Sequence, residues 1–144
     1  MEDNIGAMLA DVSRLMRRSF DERARGIGVT RPQWQVLTVL GRHEGSKQAG
    51  VADLLDVEPI TLCRMVDRLQ EAELVERRRD PADRRAWQLF LTPKARNLLE
   101  ELRPLGEDVM AIALEGFSQE ERDDLHQSLD RIRQNLARRS VAVA

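Results

Sequence analysis

The chain has 144 residues, 42% of them hydrophobic and only 3% aromatic, and a net charge of −2. A chain of this length buries roughly two-thirds of the surface it exposes when unfolded, so its core needs no metal or disulfide. The single cysteine, Cys63, rules out an intramolecular bridge and points to a reducing, cytoplasmic compartment.

The opening MEDNIGAMLADVSRLM carries two acids in its first three residues and interrupts its apolar content every few positions. It is therefore not expected to act as a secretory leader. No continuous apolar run approaches the length of a membrane span, and no membrane partner is expected.

Ile5, Met8, Leu9, Val12, Leu15, Met16 and Phe20 keep the three-and-four spacing of one helix face, predicting a first helix of about five turns. Thr30 with Gln33 forms a capping box and Pro32 suits a first turn, so a second helix is predicted from there to about Leu40. Gly41 to Ser46 reads as a break, followed by a short helix from about Gln48 to Leu55.

Asp56-Val57-Glu58 joins that short helix to a longer one that starts at Pro59 and turns Leu62, Met65, Val66 and Leu69 inward. Two helices with so short a joint predict a helix-turn-helix. Leu74 to Arg77 and Trp87 to Leu91 are rich in β-formers and flank the turn-forming DPADRRA, which predicts a hairpin with a long tip. Thr92-Pro93 then opens a helix carrying Leu98, Leu99, Leu102, Leu105, Val109 and Ile112, with a kink expected at Pro104. Ser118 and Glu121 form a second capping box before a last helix along Leu125, Leu129, Ile132 and Leu136, and Ser140 to Ala144 are expected to be frayed. The expected class is mainly α with one small β-hairpin.

Charge is sorted along this chain. RRRDPADRR, residues 77–85, sets five arginines against two aspartates, a local +3, whereas Glu100 to Asp130 sets ten acids against two arginines, a local −8. A basic segment inside an acidic chain suits a polyanionic partner, although solvated charged faces give similar counts.

On the helix that starts at Pro59, Thr61, Arg64 and Arg68 fall on a face distinct from the apolar one. Arginine offers a fork of donors to guanine acceptors in the major groove, and threonine bonds bases or phosphates. The competing reading is an ordinary solvated face on which Arg64, Asp67, Arg68 and Glu71 pair with one another. At the hairpin tip, Arg84 and Arg85 are suited to the backbone or to the minor groove, with Asp83 orienting Arg85. A solvated hairpin end is the competing reading there.

The stretch ITLCRMVDRLQEAELVERRRDPADRRAWQLFLT, Ile60 to Thr92, resembles the MarR family of bacterial regulators, and the likeness extends over nearly the whole chain. Its marks are the Asp-x-Arg element Asp83-Arg84-Arg85 and the Leu91-Thr92 before the next helix. The resemblance implies a winged helix-turn-helix lobe over about residues 30–92, with dimerisation helices over about 3–25 and 93–138. It implies a homodimer that binds a pseudo-palindromic operator in double-stranded DNA, most often as a repressor.

Arg64 and Arg68 become the major-groove candidates, Arg85 the minor-groove candidate, and Asp67 and Asp83 their orienting partners. Relatives also bind small aromatic or phenolic anions between the two regions, for which Met16, Arg18, Trp34 and His43 are the candidate residues. Two positions depart from the family pattern. Cys63 stands where many relatives have Thr or Ala, and is expected to pack as a small hydrophobe, since redox-sensing relatives carry their cysteine in the first helices. Many relatives have a Gly near Glu73, in the turn before the strand, where a left-handed position would suit Gly better than Glu.

Catalysis is not expected. Two histidines distant in sequence and one cysteine form no metal quartet or nucleophile triad, there is no Gly-rich phosphate loop, and no cofactor is implied. The alternative to a DNA reader is a winged-helix module that binds another protein without specific DNA binding.

Overall fold

The computed structural model describes residues 4–143, with side chains up to residue 139. The frayed end expected over Ser140 to Ala144 is not found through Val143, where α6 is still helical, and Ala144 lies outside the described residues. Six α-helices and one hairpin follow in the predicted order: α1 (Ile5–Ala24), α2 (Arg31–Arg42), α3 (Gln48–Leu55), α4 (Pro59–Glu71), β1 (Val75–Arg79), β2 (Trp87–Leu91), α5 (Pro93–Ala113) and α6 (Gln119–Val143). A short 3-10 turn, Arg25–Ile27, follows α1. None of the described helices is long and apolar enough to cross a membrane.

Local signals account for most helix starts. The Asn4 side chain accepts from the Ala7 amide at 2.7 Å and caps α1. Thr30 and Gln33 cap one another's backbone amides at the start of α2, and Ser118 and Glu121 do the same before α6. Each box satisfies two donors that the helix cannot reach. The helix α5 runs unbroken through Pro104. The proline withdraws one amide from the ladder, which costs a hydrogen bond without ending the helix.

Two compact units divide the chain, one ending at Val109 and the other beginning at Met110. The core of the first joins Val36, Leu37 and Leu40 of α2, Val51 and Ala52 of α3, and Leu62, Val66 and Leu69 of α4 to Leu74, Val75, Leu89 and Leu91 of the hairpin and Ala95 of α5. Burying several such side chains at about 1.5–3 kcal/mol each is what fixes α4 against its neighbours.

The strands pair antiparallel with Val75 opposite Leu91 and Arg79 opposite Trp87. The first strand thus begins and ends later than its β-propensity indicates. Arg78 and Arg79 extend it because their guanidinium groups lie 4.0 Å from the ring centres of Phe90 and Trp87 on the other strand. The segment before α3, expected only as a break, also joins the sheet edge. Gly45 donates to the Leu89 carbonyl at 2.9 Å, Leu89 donates to the Ser46 carbonyl at 3.0 Å, and Lys47 bridges to Gln88.

The turn from α4 into β1 has Glu73 at φ +60°, the left-handed region where a Gly would be unstrained. Its neighbours hold it there. Thr92 donates its hydroxyl to the Glu73 carbonyl at 2.6 Å, Lys94 reaches the Ala72 carbonyl at 2.9 Å, and the Leu74 amide returns to the Leu69 carbonyl at 2.9 Å.

Candidate nucleic-acid interface

The amphipathic α4 buries Leu62, Val66 and Leu69 and turns Thr61, Arg64, Asp67 and Arg68 to solvent. Among the described residues, Arg64 and Arg68 make no side-chain hydrogen bond or ion pair. The mutual pairing of Arg64, Asp67, Arg68 and Glu71 considered from the sequence is absent from the described contacts. Asp67 serves Arg77 of β1 instead, at 2.6 Å.

Arg77 belongs to the basic run of residues 77–85, yet its side chain is only 12% exposed and points inward. Its guanidinium donates to the Gln48 side chain at 3.1 Å, to Asp67, to the Gln70 side chain at 2.9 Å and to the Cys63 carbonyl at 3.1 Å. One side chain thereby ties α3, α4 and β1 together, using the fork geometry that only arginine supplies. Cys63 is half-buried, with its Sγ 3.7 Å from the same guanidinium.

The hairpin's other arginines divide in the same way. Arg78 bonds Glu76 at 3.2 Å while covering Phe90. Arg79 covers Trp87 and donates to the Arg84 carbonyl at 2.7 Å. Of the five arginines in residues 77–85, Arg84 and Arg85 keep exposed side chains with no partner among the described residues.

Two aspartates shape the tip. Asp83 accepts from the backbone amide of Arg85 at 3.0 Å rather than from its guanidinium, so it fixes the turn and leaves that charge free. Asp80, 6% exposed, accepts the Ala82 amide at 2.8 Å and faces Lys47 at 3.6 Å. The Ala82 amide first, and the Lys47 charge after it, hold the Asp80 carboxyl below the usual range against the opposing effect of desolvation.

The first turns of α3 and α4 and the base of the tip enclose a groove of about 360 Å³ lined by Lys47, Gln48, Pro59, Asp83, Arg85 and Trp87. It brings the helix-turn-helix and the wing to one surface. Lys47 and Gln48 escaped the sequence reading, because a lone cation before a short helix carries no periodic signal.

The four ligand candidates do not converge in this way. Trp34 donates its indole N–H to Asp21 at 2.8 Å and packs edge-on to Phe20, with ring centres 4.6 Å apart. Burial raises the Asp21 pKa, but hydrogen bonds from Arg31 and Trp34 outweigh it and the net shift is downward. Arg18 is exposed, 3.9 Å from Glu22; Met16 is half-buried on α1, and His43 is exposed where α2 ends. A cleft of about 550 Å³ is lined instead by Phe20, Thr38, Arg42, Arg96, Leu99 and Arg103, among others, and by none of the four. Arg96 is paired with Glu44 and Arg103 with Glu100, whereas Arg42 makes no ion pair among the described residues.

A family model described as MarR family matches residues 27–86, from the end of the turn after α1 to the hairpin tip just before β2. Among solved structures, the transcriptional regulator PA3341 is 34% identical over 94% of this chain and 99% of its own, with a TM-score of 0.83. A MarR transcriptional regulator from Methanosarcina mazei Go1 is 25% identical over 93% of this chain and 96% of its own, also with a TM-score of 0.83. A MarR protein from Peptoclostridium difficile DA00132 shares the fold at 20% identity, with a TM-score of 0.83 over 100% of this chain and 94% of its own.

Proposed function

The chain belongs to the MarR family of transcription regulators, and on that premise we propose that it is a sequence-specific DNA-binding repressor that works as a homodimer. One observation carries the reading. Four arginines with no side-chain partner among the described residues, Arg64 and Arg68 on α4 and Arg84 and Arg85 on the tip, are exposed on the two elements a winged module presents to a duplex. Arg77, Arg78 and Arg79 are spent internally on holding those elements in place.

In this mechanism α4 enters the major groove, where Arg64 and Arg68 donate to base edges or phosphates and Thr61 adds a short donor. The tip follows the backbone so that Arg85, its turn fixed by Asp83, reaches the minor groove beside Arg84. Lys47 and Arg85 line the groove between these contacts and suit the intervening phosphates. Asp67 acts through Arg77, by holding α4 against the hairpin, rather than by orienting Arg64 or Arg68.

A second copy places a second α4 about one helical turn away on a pseudo-palindrome. Bound to promoter DNA in the cytoplasm, the dimer excludes RNA polymerase. A small aromatic or phenolic anion entering the cleft of Phe20 and Arg42 supplies the release signal, by changing how the reading elements are spaced.

Titration of the full chain on a duplex selected from a random pool tests the assignment. Arg64→Ala costs about 1–3 kcal/mol and relaxes one base position, whereas Arg85→Ala weakens binding through a lost groove contact. If both variants bound like the parent protein, these residues would not form the interface.

A further inference from the structure

α4 presents an apolar side chain beside its arginines. Ile60, the second residue of the helix, is 61% exposed, while Leu62, Val66 and Leu69 on the same helix are buried. It precedes Arg64 by four residues, so the two side chains are stacked on the stripe opposite the buried one. Its sequence neighbours Pro59 and Thr61 are exposed as well. Ile60 belongs neither to the core cluster nor to the partly buried residues packed against it.

An occupant of this stripe has to satisfy two chemistries at once, accepting the donors of an unpartnered guanidinium and covering a branched aliphatic group one turn away. The major groove of a duplex does both. Residues at the N-terminal end of a docked recognition helix are the ones that meet base edges. On those edges the apolar feature is the C5-methyl of thymine, set among donors and acceptors.

We propose that Ile60 is a specificity-determining residue that packs on a thymine methyl, one per half-site, and so requires thymine at that operator position. The inference rests on the DNA-reading function above and adds a base preference that the arginines cannot supply.

The test uses the full chain and an operator selected from a random duplex pool. Each thymine is replaced in turn by deoxyuridine, which removes the methyl and keeps the hydrogen-bonding edge. The parent protein is expected to lose about fourfold in affinity at one thymine per half-site, the worth of one buried methyl group. Ile60→Ala is expected to bind the unmodified operator several-fold more weakly and to be indifferent to uracil at that position.

Leu54→Ala, which shortens an apolar residue of similar exposure on α3, is expected to keep the parent's uracil profile. An Ile60→Ala variant that retains the parent's uracil profile overturns the assignment while leaving the DNA reader intact. So does a parent protein insensitive to uracil everywhere, a result that does not depend on any variant's folding. If the parent protein enriches no sequence from the pool, the DNA-reading function and this inference fall together.

Discussion

Arg77 is the residue on which the interface geometry depends most. Four partners on α3 and α4 converge on one guanidinium whose side chain is 12% exposed. Lysine at this position offers a single point of charge and cannot reach them all. Arg77→Lys is therefore expected to destabilise the fold by about 2 kcal/mol, since hydrogen bonds to a charged group contribute more than neutral ones and leave their partners unsatisfied when lost. Urea denaturation followed by circular dichroism measures it, and a midpoint unchanged from the parent protein would remove Arg77 from this role. Nothing local in LVERRRDP distinguishes Arg77 from Arg78 or Arg79. The distinction arises from Gln48, 29 residues away in the chain, and from which strand face meets α4.

Element by element, what was legible in the sequence is what arises from near neighbours. The capping boxes at Thr30 and Ser118 and the 62, 66, 69 stripe of α4 are written within four residues of themselves, and the structure holds them as expected. Pairing of residues 45–47 with β2 is long-range and left no local trace. The left-handed turn at Glu73 was foreseeable only as a position suited to Gly, because the bonds from Thr92 and Lys94 that hold it come from beyond the hairpin.

The wing tip has a pH response of its own. The Asp80 pKa is lowered in the folded chain, so its contribution to tip order is fully present above the unfolded carboxyl value of about 3.9 and is lost as pH falls through the lower folded value. Amide exchange or NMR shifts at Ala82 and Asp83 should therefore stay constant from neutral pH down to about pH 5 and change below about pH 4. Asp80→Asn should abolish that acid transition. A transition that persists in Asp80→Asn would assign it to another group.

At the scale of the molecule, each unit carries apolar surface that a single chain leaves uncovered. Ile5, Met8, Leu9, Val12 and Leu15 form an exposed stripe on α1, and Leu125, Leu129, Ile132 and Leu136 another on α6. A second copy is the cover that the proposed half-site symmetry requires. Leu129→Glu places a charge in that interface and should raise the dimer dissociation constant at least about tenfold, measured by sedimentation equilibrium. A variant as dimeric as the parent protein would move the interface elsewhere.

The proposed dimer acts by binding its operator selectively. The direct measurement is fluorescence anisotropy of the full chain on duplex from the intergenic region beside its own coding sequence, against random duplex, at two salt concentrations. One dimer per site is expected, with at least about a thousandfold preference for the operator near physiological salt and affinity that falls steeply as salt rises. Equal, weak binding to both duplexes would contradict it and favour a winged module whose arginines meet an acidic protein surface.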